Sequence, residues 1–186
     1  MADSPVVDSL DGRFVLPADA LVLLIGISGS GKSTFASRHF RPTQVLSSDA
    51  LRALITDDPA AQSATEDAFD LLHRILVMRL RRGRLTVVDA TNVEEWARRE
   101  LLSLARRHRR PTVAIVLDLP FEAIVERNAA RPDGPRPRAA LTRQARWLRD
   151  SLASLPGEGL DAVHRLGSAD EVESVRLEFA ARGAVG

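Results

Sequence analysis

Apolar residues come in two rhythms along this chain. Residues 20–25, 85–88 and 112–117 are short, nearly unbroken apolar runs, and residues 43–46 and 161–165 are weaker versions of the same. Runs of that length, bounded by Gly, Asp or Pro, predict strands buried on both faces of a parallel sheet. Between them the apolar positions recur every three or four residues, as Phe69, Leu72, Leu76 and Leu80 do before Gly83. That spacing predicts helices over 32–40, 64–82, 93–107, 121–130, 139–155 and 169–180, with a short one from an N-cap at Ser48 to Leu54. Residues 1–18 are mixed and turn-rich and read as a loose lead-in. Strands alternating with helices predict an α/β fold with a parallel sheet of about five strands covered on both faces. Ligands of such sheets bind beyond the carboxyl ends of the strands. Three strands run into Gly26, Asp49 and Asp89, whose tips should share one crevice.

Composition narrows this little. The 186 residues suffice for one well-cored domain, 1–186, and make a second unexpected. The formal net charge is +1, so any nucleic-acid site must be a local patch. Cysteine is absent, which excludes disulfides and thiolate metal sites and fits a cytoplasmic location. The opening stretch has no apolar segment of signal-peptide type, and no run is long enough to span a bilayer.

One position stands out from the composition. Lys32 is the only lysine, all other strongly basic residues being arginine. It lies in Gly26-Ile27-Ser28-Gly29-Ser30-Gly31-Lys32-Ser33-Thr34, which fits the phosphate-binding loop G-x-x-x-x-G-K-[ST]. Its glycines let backbone N–H groups converge on an anion at a helix N-terminus. Lys32 would bridge the β- and γ-phosphates of ATP, and Ser33 would ligate Mg²⁺. The expected class is therefore a P-loop NTPase-type sheet, strand order 2-3-1-4-5.

Around that loop the candidate chemistry falls into three groups. Asp49, just past a strand, can take the proton of an attacking hydroxyl, with Arg52 one helical turn on to hold a charged acceptor. Asp89 ends an apolar strand where such enzymes place the carboxylate that holds Mg²⁺, directly or through water. Thr91 and Asn92 read as helix caps. Arg127 and Arg131, at i and i+4 before a Pro- and Gly-broken segment, suit a lid over about 127–140 that closes on ATP, with Arg136 and Arg138 as further candidates. The arginine cluster from Arg98 to Arg110 reads as a solvated helix face, with a nucleic-acid patch as the other option. Trp96 and Trp147 read as core or half-buried residues, and His39, His73 and His164 as structural.

With these residues in hand, the chain resembles the N-terminal kinase domain of bacterial polynucleotide kinase-phosphatase, the RNA end-healing and sealing enzyme. The likeness runs through VLLIGISGSGKSTFA, VLSSDALRAL, ITDD, AFDLLHRIL, GRLTVVDATNV and ERNAAR, over roughly residues 20–131. It implies an ATP- and Mg²⁺-dependent kinase that phosphorylates the 5′-OH end of RNA or DNA. It also implies Asp49 as general base, Arg52 near the acceptor's 3′-vicinal phosphate, and Arg127 and Arg131 on the ATP phosphates. Family proteins carry phosphatase and ligase-like domains that do not fit in this length, so the chain is expected to be an excised domain or a free-standing kinase. Homodimers occur in the family. Two other readings stay open: a P-loop kinase for a sugar or nucleoside, and a nucleotide-binding module without catalysis.

Overall fold

The computed structural model describes residues 6–8, 12–131 and 134–180. Its centre is β3 (Leu21–Ile25), in which all five side chains are buried. Leu21, Leu23 and Ile25 point into one core, and Val22 and Leu24 into the other. A central parallel strand alternates this way because both of its faces must be covered.

Six parallel strands form the main sheet, in the order β1 (Val6–Asp8), β7 (Ala162–Leu166), β6 (Thr112–Leu117), β3, β5 (Thr86–Asp89), β4 (Val45–Ser47). The five strands expected from sequence take the expected order, and β1 adds a sixth at the edge. One face carries α1 (Lys32–His39), whose Phe35 and Ala36 enter the core with Val22 and Leu24. The other carries α2 (Ser48–Thr56), α3 (Thr65–Arg81), α4 (Glu95–Arg107) and α6 (Arg138–Ser154). Helix α5 (Phe121–Ala129) packs Ile124 into the same core. No helix of the described residues is long and apolar enough to cross a membrane.

Two expectations fail together. The lead-in contains β1 and β2 (Arg13–Pro17), and the last helix is only α7 (Ala169–Ser174), followed by β8 (Arg176–Ala180). β2 and β8 pair in parallel, Arg13 beside Arg176 through Pro17 beside Ala180. Phe14 and Leu16 are the buried half of the β2 alternation, and Val175 fills the core just before β8. A strand whose partner lies some 160 residues away leaves no local helix-or-strand signal strong enough to read. The rest of the lead-in, 1–5 and 9–11, lies outside the described residues, as do 132–133 of the Pro-rich segment.

The sheet register sets the site. Leu24 of β3 pairs with Asp89, and Asp89 pairs with Ser47. The ends of β3, β5 and β4 are thus level, and Gly26, Asp49 and Asp89 emerge along one edge.

Candidate active site

The phosphate loop is tightly wound on itself. Lys32 Nζ donates to the carbonyls of Gly26 and Ile27, both at 2.9 Å. A Cβ on Gly26 would lie 2.7 Å from Ser30 Oγ and 2.9 Å from the Leu117 carbonyl, so backbone and loop meet where only hydrogen fits. Gly31, at φ 95°, turns the chain into α1 in a conformation glycine tolerates best. No side chain caps α1 and no acidic residue sits in its first turn, which leaves its N-terminus to an anion. The Ser30 hydroxyl is buried without a hydrogen-bond partner among the described residues. Both features fit a bound phosphate chain.

Burial lowers the Lys32 pKa to about 8; Asp89 and then Asp49 pull it back up, and Arg131 presses it down slightly. Asp89 responds in the opposite sense. Burial raises its pKa, against the charge of Lys32 and the nearby hydroxyls of Ser33 and Ser47. Ser33 and Asp89 are therefore already adjacent, as a shared cation needs. Among the described residues no three His, Cys, Asp or Glu gather as a metal cage. Mg²⁺ needs none, because one or two protein oxygens and the substrate phosphates suffice. The hard-oxygen pair Ser33 and Asp89 fits that role.

Asp49 lies in the first turn of α2. The N-cap is Ser47, whose Oγ accepts from the Ala50 amide at 3.4 Å, rather than the expected Ser48. Arg52, buried, forms an ion pair with Asp49 and donates from Nε to the Pro59 carbonyl at 3.0 Å. Loop, Asp49, Arg52 and Asp89 all line one crevice of about 1450 Å³, together with Arg127, Arg131 and Arg136. Gly26 and Ser30 lie behind its wall. Arg127 is exposed, with its guanidinium 3.8 Å from where a Cβ on Gly31 would be.

The two ambiguous lid arginines separate. Arg136 lines the crevice. Asn128, buried, grips its backbone by donating from Nδ2 to the Arg136 carbonyl and accepting from the Arg136 amide, each at 2.9 Å. Arg138 instead lies over the Phe121 ring and pairs with Glu122 at 3.3 Å.

Several sequence readings need correction. Asn92 caps no helix: its Nδ2 donates to the Leu24 carbonyl at 2.8 Å and braces β3 against β5. Thr91 is not a cap either; its carbonyl accepts from the Gly26 amide at 3.0 Å, and α4 begins later, after Glu94. Arg98 belongs to no solvated face. It is fully buried, fork to fork with Glu158, and its Nη1 donates to the Asn92 carbonyl at 2.7 Å. Arg110 similarly ties Asp19 and the Leu80 carbonyl, while Arg99 and Arg107 are exposed. Trp96 is not packed in the core but 64 % exposed. His73 faces Glu100 at 3.4 Å, a contact that leaves its structural reading unchanged.

Sequence reasoning missed Gln144 and Arg143, which reach the crevice from α6. Gln144 Oε1 accepts from the Ser28 amide within the phosphate loop at 2.8 Å. No motif marks it; only the docking of α6 brings it there. Also missed was a mostly acidic wall, where Glu66, Phe69, Asp70, His73 and Glu100 share the crevice with Asp49.

Comparison with known proteins bears on the family and the fold. No curated protein matches the chain in sequence. Among solved structures it is similar to a chain of the Pnkp1/Rnl/Hen1 RNA repair complex, at 22 % identity and TM-score 0.63, covering 76 % of this chain and 47 % of that one. The chain thus spans about half the length of that relative. It is similar to a gluconokinase from Sinorhizobium meliloti 1021, at 22 % identity and TM-score 0.54, covering 87 % and 90 %. It is also similar to a shikimate kinase from Bacteroides thetaiotaomicron, at 15 % identity and TM-score 0.51, covering 83 % and 93 %. A family model described as AAA domain matches residues 21–153. The chain belongs to the AAA domain family, on the fold of the P-loop kinases.

Proposed function

We propose that the protein is an ATP-dependent kinase that phosphorylates 5′-OH polynucleotide ends. One observation carries this: Asp49, held by the buried Arg52, shares a crevice with the phosphate loop and the arginines Arg127, Arg131 and Arg136. A carboxylate opposite the γ-phosphate serves proton abstraction from an incoming hydroxyl, which pure nucleotide binding does not require. Arg52 beside it offers the terminal phosphodiester a charge. The likeness to a chain of an RNA repair complex and the motifs shared with the end-healing kinases support the same reading.

In this reading Lys32 and the loop amides hold the donor phosphates, and the lid arginines neutralise charge on the moving phosphoryl group. Mg²⁺, held by Ser33 and Asp89, would screen the β- and γ-oxygens. Asp49 takes the proton as the 5′ oxygen bonds to the γ-phosphorus and the bond to the β–γ bridging oxygen breaks, leaving ADP. Most of the acceleration comes from alignment and charge neutralisation.

A second reading has its own support. Glu66, Asp70 and Glu100 make much of the acceptor wall acidic, which suits a polyhydroxylated small acceptor better than a polyanion. Gluconokinase and shikimate kinase share the fold.

The test uses radiolabelled ATP, Mg²⁺ and a 5′-OH oligonucleotide with the wild type and Asp49→Asn. Label on the oligonucleotide with the wild type, lost in the variant while ATP still binds, is expected. No label with the wild type overturns the function, and a variant at wild-type rate overturns Asp49 as base.

A further inference from the structure

The crevice does not close behind its acceptor wall. Trp96 and Glu100, on the first turns of α4, line it and also line a second groove of about 410 Å³, which continues over Arg99, Ser103, Leu104 and Arg107. Trp96 is the largest side chain left open at this end, and its ring is held in place by donation from Nε1 to Glu94 Oε1 at 3.2 Å. An indole held and exposed at the mouth of a site offers a face on which a base can stack. Three carboxylates beside it have local partners. Glu94 holds the indole, Glu95 pairs with Arg99 at 2.6 Å, and Glu100 pairs with His73 at 3.4 Å. Arg107 is exposed at the far end.

We propose that Trp96 and this α4 groove form a track for a single-stranded polynucleotide beyond its 5′-terminal nucleotide. Trp96 stacks on a base of the incoming strand, and Arg107 meets its phosphates. Base stacking on an exposed aromatic needs no sequence, which suits an enzyme that takes ends of any sequence. Trp96 and Arg107 stand eleven residues apart, about 17 Å along the helix. That is the length of about five stacked nucleotides at roughly 3.4 Å each. Continuity with the crevice selects this occupant, since a strand whose 5′ end reaches Asp49 must leave the site somewhere.

The inference rests on the polynucleotide reading, and its test separates the two. Two acceptors are compared in steady state: thymidine 3′-monophosphate, which ends inside the crevice, and a twelve-nucleotide 5′-OH oligothymidylate, which must leave it. Trp96→Ala is expected to raise KM for the oligonucleotide about tenfold or more, with kcat and the KM for the mononucleotide little changed. Arg107→Glu is expected to do the same and to lower the salt dependence of oligonucleotide binding by about one unit of slope. Trp147→Phe leaves Trp96 as the sole indole, and oligothymidylate should quench its fluorescence. If the wild type phosphorylates both acceptors but neither variant shifts the oligonucleotide KM and no quenching occurs, the track is overturned and the function stands. If the wild type phosphorylates neither, both fall.

Discussion

One buried guanidinium serves two anchors: Arg52 pairs with the Asp49 carboxylate while its Nε holds the Pro59 carbonyl at 3.0 Å. The pairing spans one turn of α2, so Asp49 is aimed by a group that is itself fixed. Arg52→Ala is expected to cut transfer about a hundredfold or more and to raise KM for the acceptor. It should also destabilise the fold by about 1 kcal/mol, because a partly buried carbonyl loses its donor. Arg52→Lys should not restore activity, since one ammonium cannot reproduce the planar fork. Kinetics with thermal melts check both parts, and a lysine variant at wild-type rate would contradict the account.

Lys32 is charged against the pull of its surroundings. Its pKa of about 8 lies below the ordinary lysine value because burial disfavours the ammonium. Between about pH 8 and 10.4 the unfolded chain therefore binds more protons than the folded one, and this group makes stability rise with pH across that window. Below it, the full penalty stands. Lys32→Met is expected to melt a few degrees above the wild type at pH 7 without nucleotide, with the gap shrinking towards pH 10.5. ATP affinity should run the other way, falling about tenfold in the wild type between pH 7 and 9 as the free lysine loses its proton. Calorimetric titrations at the two pH values decide it; a flat profile counts against the lysine–phosphate contact.

Arg136 and Arg138 are two residues apart and differ in what they face. Arg136→Ala should weaken ATP binding and slow transfer, by about tenfold or more in kcat/KM. Arg138→Ala, which loses an exposed pairing with Glu122 and a place over the Phe121 ring, both away from the phosphate loop, should leave both nearly unchanged. Asn128→Ala should resemble Arg136→Ala by releasing the backbone that carries it.

Arg98→Ala should be the most destabilising change away from the crevice. It leaves Glu158 buried with its charge unpaired, and the Asn92 carbonyl and Ser151 hydroxyl without their donor. A loss of about 3–5 kcal/mol is expected. Denaturant unfolding measures it; a loss under about 1 kcal/mol would mean the pair is not buried in solution.

The sheet and the donor side of the crevice were legible because their signals are local. A phosphate loop is nine consecutive residues, and a buried parallel strand is a continuous apolar run. The order 2-3-1-4-5 followed from the loop. What escaped the sequence depends on distant partners. β8 becomes a strand only because β2 accepts it across the fold. Arg98 looks like any other arginine on α4 until Glu158, 60 positions away, is placed against it. The same arginine-rich composition that made Lys32 conspicuous hid the burial of Arg98. Gln144 carries no motif and reaches Ser28 only through the docking of α6. For Trp96, hydrophobicity alone suggests burial; it does not show that this position on α4 faces the groove rather than the sheet.

The claim that joins these residues is the identity of the acceptor. It is tested by kcat/KM for transfer from radiolabelled ATP to a 5′-OH oligonucleotide, a 5′-phosphate oligonucleotide, nucleosides, gluconate and shikimate under one set of conditions. Label confined to the 5′-OH oligonucleotide, with the 5′-phosphate strand inert, is the expected outcome. Label on gluconate, shikimate or a nucleoside with none on the oligonucleotide would contradict it and assign the acidic wall to a small acceptor. ATP binding with no transfer to anything would contradict catalysis itself.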